Sequence, residues 1–169
     1  MMLPTAYEFR IRTEPARPLP GTGAPIRQPI DLYRFWEAAV PTAPWYQPFR
    51  ECLIVVMLNS KDYPVGFNLV SVGTLTAALA HPREILMPAI VTAGTFAFAL
   101  AHNHPSGKTN PSAADFSLTR QVKECCDLFN IRLTDHLIVA DRPGTGACSV
   151  GECTAEGDLF YSFRENGHL

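Results

Sequence analysis

Continuous apolar runs and segments with helical spacing alternate along the central part of the chain. The run Cys52–Leu58 is apolar throughout and rich in β-branched residues, which is typical of a strand covered on both faces. A polar turn over 59–62 separates it from Pro64–Val72, the predicted second strand of a hairpin. Two further buried strands are predicted over 95–101 and 137–140.

Helical periodicity predicts three helices between and before these strands. A short amphipathic helix is predicted over 31–40, and a second begins at His81-Pro82-Arg83-Glu84. The third, 112–129, is strongly amphipathic, with one apolar face formed by Leu118, Val122, Cys125, Cys126 and Phe129. From residue 51 the order is β-β-α-β-α-β, which predicts a single α/β domain with helices packed against a mixed sheet.

Proline dominates the N-terminal part, where nine of the fifteen prolines fall within the first fifty residues. Proline fixes φ and removes a backbone donor, so an extended segment is expected there. We therefore divide the chain into a proline-rich arm (1–29), a short helix and linker (30–48) and the main domain (49–169). No apolar run is long enough to span a membrane, and residues 1–12 contain no apolar signal segment, so a cytoplasmic protein without a membrane partner is expected.

Composition narrows the function classes. The 169 residues are 47% hydrophobic and 18% charged, with a formal net charge of -2 and a pI of about 6.2. These totals give no indication of the basic face by which proteins usually grip DNA. Five cysteines without CxxC spacing indicate reduced thiols rather than a cysteine metal site.

The candidate chemistry lies between the predicted third strand and the last helix. His102 and His104 are two residues apart in extended chain, so both imidazoles can reach one ion. Asp115 lies in the first turn of the following helix and shares a face with its core residues. Two histidines and one aspartate leave a fourth tetrahedral position for water, as in catalytic zinc sites.

Other interpretations of the same residues stay open at this point. The histidines could bond backbone carbonyls of a loop, and Ser112-x-x-Asp115 also has the pattern of a helix capping box. Taken jointly, the spacing favours zinc over these alternatives. A P-loop is excluded because His102 stands where its first glycine would fall, and the motifs of zinc deaminases and of H-E-x-x-H proteases are absent.

The pattern His-x-His-Pro, six residues, Ser-x-x-Asp resembles the JAMM motif of JAB/MPN-domain metallopeptidases. Three segments are similar to the RadC-like branch, which is often labelled a DNA repair family: His81-Pro82-Arg83-Glu84, His102-Asn103-His104-Pro105-Ser106-Gly107 and Asp135-His136-Leu137-Ile138-Val139. The similarity covers about residues 49–150. It implies an MPN/JAB-like fold with a deaminase-like layered architecture, and a JAMM-type zinc metallopeptidase.

The resemblance also implies roles for further residues. Glu51 stands where the family has the glutamate that acts as general base, and Ser112 matches the serine that stabilises the oxyanion; a solvated residue at a strand start is the alternative for Glu51. Asp135 and His136 fit either partners of a zinc-bound histidine or a hydrogen-bonded loop pair. Arg83 and Glu84 are interpreted as a helix-start pair that faces solvent or each other.

The leading hypothesis is a zinc-dependent hydrolase that cleaves an amide or isopeptide bond in a peptide or protein substrate. The alternative is a non-enzymatic role in DNA repair or in a mobile genetic element, which the family label implies. A third hypothesis is an interaction module whose proline-rich arm contacts a partner. A homodimer is expected only by analogy with other MPN-like domains.

Overall fold

A computed structural model describes residues 23–73, 80–140 and 159–169 of the chain. These ranges contain three helices and five strands: α1 (Pro29–Ala39), β1 (Cys52–Leu58), β2 (Pro64–Val72), α2 (Pro82–Val91), β3 (Ala97–His104), α3 (Ala113–Phe129), β4 (Arg132–Ala140) and β5 (Phe160–Ser162). Most of the proline-rich arm lies outside the described residues, as do Cys148 and Cys153.

The five strands form one mixed sheet in the order β2-β1-β3-β4-β5. β1 is antiparallel to β2 and β3, whereas β3 and β4 are parallel and are joined through α3. A parallel pair needs such a crossover because a tight hairpin can join only antiparallel strands. The predicted α/β fold with a mixed sheet and packed helices is thereby confirmed.

Alternate residues of the central strands pack against helices on opposite faces of the sheet. On β1, Leu53, Val55 and Met57 face α2 and α3. The alternate residues Ile54, Val56 and Leu58 face α1. Every residue of β1 is buried, as the continuous apolar run predicts. The result is three layers, with a hydrophobic core on each side of the sheet.

The predicted first helix is confirmed as α1, which begins two residues earlier than expected. The Asp31 carboxylate accepts a hydrogen bond from the Gln28 backbone N–H (3.0 Å), which satisfies one donor at the helix start. Leu32, Phe35 and Trp36 are each only 1% exposed and belong to the core on this side of the sheet. The division at residues 29 and 48 stays a prediction, although α1 and the sheet share this core.

Two strands begin or end away from their predicted bounds. β3 covers 97–104 instead of 95–101, and β4 covers 132–140 instead of 137–140. In both strands the missed part contains polar residues that are nevertheless buried, so apolar periodicity does not detect them. β5 was not predicted because three residues are too few to show a period.

Part of the predicted apolar face of α3 is solvent-exposed. Val122 and Cys126 are buried, but Phe129 is 52% exposed and its neighbour Leu128 is 83% exposed. Phe129, the last residue of α3, is therefore not buried with the rest of this face, although it lines a cavity together with Met87 and Ile90 of α2. Among the described residues, no helix has the length and apolarity needed to cross a bilayer.

Candidate metal centre

The two histidines at the end of β3 project toward α3. Their positions two residues apart place them on the sheet face that Phe98 and Leu100 share with the α2–α3 core. The Nε2 atoms of His102 and His104 are 3.1 Å apart. The His102 side chain is 2% exposed and that of His104 is 16% exposed, so the pair lies where the buried core reaches the surface.

Asp115, at the N-terminus of α3, meets this pair. Its Oδ1 lies 3.3 Å from Nε2 of His102, and its Oδ2 lies 3.7 Å from Nε2 of His104. The Ser112 hydroxyl and backbone N–H both donate to Oδ2, at 2.6 and 2.7 Å. The Asp115 carboxylate therefore forms the capping box at the start of α3 and also lies beside both histidines.

Glu51 reaches the same place from the residue that precedes β1. Its Oε1 lies 3.9 Å from Nε2 of His102, and its side chain is 14% exposed. The backbone on each side of Glu51 is held by the buried Asn103, whose Oδ1 accepts from Cys52 N–H (2.8 Å) and whose Nδ2 donates to the Arg50 carbonyl (3.0 Å). Asn103 thus links the position of Glu51 to the strand that carries the histidines.

The loop after β3 turns back onto His104. Nδ1 of His104 lies 2.8 Å from the carbonyl oxygen of Lys108. Gly107 makes the turn with φ of 72° and donates its N–H to the His104 carbonyl (2.9 Å). Glycine adopts this left-handed conformation without the steric cost that a Cβ imposes.

Behind His102, a fully buried histidine on β4 contacts its second ring nitrogen. Nδ1 of His102 is 2.9 Å from Nε2 of His136, and Nδ1 of His136 is 2.6 Å from Oγ1 of Thr119 on α3. The His136 ring stacks on Phe163 with a centroid distance of 4.8 Å and an interplanar angle of 11°. His136 is 0% exposed, and protein groups occupy both of its nitrogens.

Asp135, the neighbour of His136, belongs to a different network. Its carboxylate accepts from the Ser162 hydroxyl (2.7 Å), the Arg164 backbone N–H (3.1 Å) and the His136 backbone N–H (2.8 Å). Burial raises the pKa of Asp135, and these hydrogen bonds oppose that rise in part. Asp135 and His136 therefore lie within β4 rather than in a loop before it, and only His136 contacts the histidine pair.

Burial and neighbouring charges shift the ionisation of several groups here. Burial, and then repulsion from His102, lower the pKa of His104. Burial alone would raise the pKa of Asp115, but hydrogen bonds and charge from His102, with hydrogen bonds from Ser112, outweigh it and hold that pKa far below its usual range. Burial, followed by repulsion from His102, also lowers the pKa of His136 well below its ordinary value.

The four converging side chains could hold a metal ion. One ligand atom from each of Glu51, His102, His104 and Asp115 lies within 4.8 Å of the other three. Mixed imidazole and carboxylate donors suit zinc and related first-row ions, whereas calcium and magnesium prefer oxygen ligands. A neutral imidazole and an ionised carboxylate are the forms that bind metals, and the lowered pKa values of His104 and Asp115 favour them.

The structure brings four of the five predicted site residues directly together, and it places Ser112 against Asp115. Arg83 and Glu84 are exposed at the start of α2, where the Glu84 carboxylate accepts weakly from the His81 N–H (3.4 Å). Thr119 and Asn103 were not among the site residues predicted from the sequence. A polar residue inside an apolar strand or helix face was the only available signal for either of them.

Comparison with known proteins gives matches over nearly the whole chain. Residues 26–167 match the family described as RadC-like JAB domain. A "UPF0758 protein" of Chlorobium phaeovibrioides is 34% identical over 100% of this chain and 65% of its own length. A protein of the same name from Rubrobacter xylanophilus is 44% identical over 71% of this chain and 45% of its own length.

A further relative with this name, from Clostridium tetani, is 39% identical over 54% of this chain and 40% of its own length. The chain thus spans less than two thirds of the length of each of these relatives. The name that these relatives share states no activity.

Proposed function

The chain belongs to the RadC-like JAB domain family, and on that premise we propose that it is a zinc-dependent hydrolase of amide or isopeptide bonds. One observation carries the proposal: the ligand atoms of Glu51, His102, His104 and Asp115 lie within 4.8 Å of one another. Three of these side chains fit the ligand number of a catalytic zinc site, and the fourth is free to act on a proton.

His102, His104 and Asp115 would hold the ion. Zinc bound there would supply Lewis-acid chemistry for the attack of water on a carbonyl. The three residues come from the end of β3 and the start of α3, two elements that pack on one core, so their relative positions are fixed by tertiary structure. A preorganised ligand set of this kind avoids reorganisation when the ion binds.

Glu51 would be the general base. Its carboxylate would take a proton from water and later transfer it to the leaving amine. Glu51 Oε1 lies 3.9 Å from Nε2 of His102, close enough to act on a water molecule in the space that the three proposed ligands surround. The hydrogen bonds of Asn103 to both neighbours of Glu51 would limit backbone movement during this transfer.

Ser112 would stabilise the oxyanion of the tetrahedral intermediate. Its hydroxyl hydrogen points to Oδ2 of Asp115 in the structure. Rotation about the Cα–Cβ bond would release it toward substrate, and the Ser112 backbone N–H would still hold the carboxylate. The exposed position of Ser112 leaves room for such a rotation.

Metal content and hydrolysis together test the proposal. We expect about one zinc per chain in protein purified without added metal, by elemental analysis. Asp115→Asn should lose this zinc, whereas Asp127→Asn, an exposed change of the same charge on the same helix, should keep it. A chain that contains no zinc and takes up none on titration would contradict the proposal.

The base assignment is tested on a panel of peptide-linked and isopeptide-linked substrates. Glu51→Gln should retain zinc and lose hydrolysis by about 100-fold or more, the usual contribution of a positioned base. A Glu51→Gln protein that binds zinc and keeps full activity would remove Glu51 from this role and leave the metal site intact.

A further inference from the structure

A continuous chain of hydrogen bonds leads from the backbone of α3 to the inner nitrogen of His102. It runs from the Asp115 carbonyl to the Thr119 hydroxyl (2.7 Å), then to Nδ1 of His136 (2.6 Å), and from Nε2 of His136 to Nδ1 of His102 (2.9 Å). Thr119, His136 and His102 are 2%, 0% and 2% exposed. Bulk solvent therefore has little access to this chain, and the protein groups must satisfy one another.

The direction of these hydrogen bonds follows from the Thr119 hydroxyl. A hydroxyl has one hydrogen to donate, and a backbone carbonyl can only accept. The hydrogen is therefore directed to the Asp115 carbonyl, four residues earlier on the same helix. Oγ1 of Thr119 must then accept from His136, which places a proton on Nδ1 of His136.

The environment of His136 determines its second nitrogen. The ring is fully buried and stacked on Phe163, and its hydrogen-bond partners within the described part of the chain are the Thr119 hydroxyl and the His102 ring rather than a carboxylate. An imidazole in such a place is neutral, because a buried charge without a partner is costly. With its proton on Nδ1, neutral His136 accepts at Nε2, and the donor there is Nδ1–H of His102.

We propose that Thr119 and His136 are positioning residues that hold His102 in the Nδ1–H form, so that the Nε2 lone pair faces Glu51, His104 and Asp115. This inference rests on the proposed metal site, because that lone pair is the one a metal would take. His104 reaches the same form by another route, since its Nδ1 meets the Lys108 carbonyl, which can only accept. Both rings thus present the same nitrogen, one held by a loop and the other by α3 and β4.

Thr119→Val tests the inference because valine keeps the shape of threonine and removes the hydroxyl. Without its acceptor on Thr119, His136 no longer has a fixed proton position, and Nδ1–H of His102 loses its fixed acceptor. We expect zinc affinity, measured by competition with a chelator, to fall about 10- to 100-fold, as is typical when an outer partner of a ligand histidine is removed. Thr119→Ser restores the hydroxyl and should bring the affinity back to within about threefold of wild type.

A second readout needs no metal. Long-range proton–nitrogen NMR of ring-labelled, metal-free protein should show a protonated Nδ1 for His102 in wild type and Thr119→Ser, and partial loss of that proton in Thr119→Val. Thr134→Val is the matched control. Thr134 lies on the same strand as His136, and its half-buried hydroxyl donates to the Phe98 carbonyl of β3. This substitution should change neither the His102 proton nor the zinc affinity, and circular dichroism of each variant checks the fold.

The outcomes separate this inference from the proposed function. Zinc binding at full affinity in folded Thr119→Val, or an unprotonated Nδ1 of His102 in wild type, overturns the inference and leaves the hydrolase proposal standing. A wild-type chain with the expected proton on Nδ1 that binds no zinc instead overturns the proposed function. Loss of affinity in Thr119→Val with rescue in Thr119→Ser supports the positioning role.

Discussion

Asn103 occupies the position of β3 between the two histidines, and its side chain leaves the opposite face of the strand. It is 0% exposed, and its amide contacts the backbone on both sides of Glu51. A buried backbone N–H or carbonyl that loses its partner incurs the full cost of desolvation. One residue therefore supports the fold and fixes the place of the candidate base.

Asn103→Ala should lower the free energy of unfolding by about 1–3 kcal/mol, since the Cys52 N–H and the Arg50 carbonyl would lose their partner. Urea denaturation measures this change. The exposed Asn68, whose side chain donates to the Leu69 carbonyl, offers a control in which Asn68→Ala should change stability by less than about 0.5 kcal/mol. Equal effects of the two substitutions would contradict the role given to Asn103.

The local sequence was sufficient to find His102, His104 and Asp115, because a strand end, a short loop and a helix start place them together. Thr119 and Asn103 could not be found in this way. Their importance depends on the packing of α3 on β4 and on the pairing of β1 with β3, both of which join residues far apart in sequence. A single polar residue on a buried face has no pattern that reveals its partner.

At the scale of elements, β4 is unusual because it carries two adjacent buried ionisable groups, Asp135 and His136. Successive residues of a strand face opposite sides, so the two belong to separate networks. Asp135 is bonded to Ser162 and to the backbone after β5, whereas His136 faces α3. The strand therefore joins the C-terminal segment to the candidate metal centre.

The buried His136 should make the stability of the metal-free chain depend on pH. Because its pKa is lowered in the folded state, the unfolded chain binds a proton below pH 6.5 that the folded chain excludes. Stability should therefore fall as pH decreases from 7.5 to 5.5, with a slope that approaches about 1.4 kcal/mol per pH unit for one such group. His104, whose pKa is also lowered, acts in the same direction.

Urea unfolding at pH 7.5, 6.5 and 5.5 in the presence of a chelator measures this slope. His136→Gln should reduce it, and the part contributed by His104 should remain. Identical slopes in wild type and His136→Gln would show that His136 does not exclude a proton in the folded state.

Most elements could be predicted because their apolar period is long, as in β1, β2 and α3. The ends of β3 and the start of β4 could not, because there the chain buries histidine, asparagine and aspartate instead of apolar residues. Tertiary hydrogen bonds satisfy these side chains, and such bonds leave no period in the sequence. The boundaries were thus missed where the candidate site begins.

At the scale of the whole molecule, the charge distribution bears on the alternative role in DNA metabolism. The formal net charge is -2. Three arginines do gather at one cleft, but Asp62 lies 2.7 Å from Arg132 and 3.9 Å from Arg27, which neutralises part of their charge, while Arg164 donates to the Arg27 carbonyl (3.0 Å). This cleft lies at the end of the sheet where β4 begins, away from the histidines at the end of β3.

We expect DNA binding by this chain to be weaker than about 10⁻⁶ M at physiological salt, because the net charge is -2 and Asp62 offsets part of the arginine charge at this cleft. Fluorescence anisotropy with a labelled duplex at low and high salt measures it. Arg132→Ala serves as the matched variant at the cleft. Tight binding that falls steeply with salt, and that Arg132→Ala weakens, would favour the DNA-linked alternative over the hydrolase.

The pairing of β1 with β3 has a consequence for how the protein acquires its parts during folding. His102, His104 and Asp115 lie in one strand–loop–helix unit, whereas Glu51 reaches them only when Leu53 pairs with His102. A register slip by one residue would turn the side chains of β1 to the other face and leave the three candidate ligands in place. Under the proposed function, a chain with this misalignment would still bind the metal, because the ligands belong to the local unit. It would not hydrolyse substrate, because Glu51 would be absent from the site.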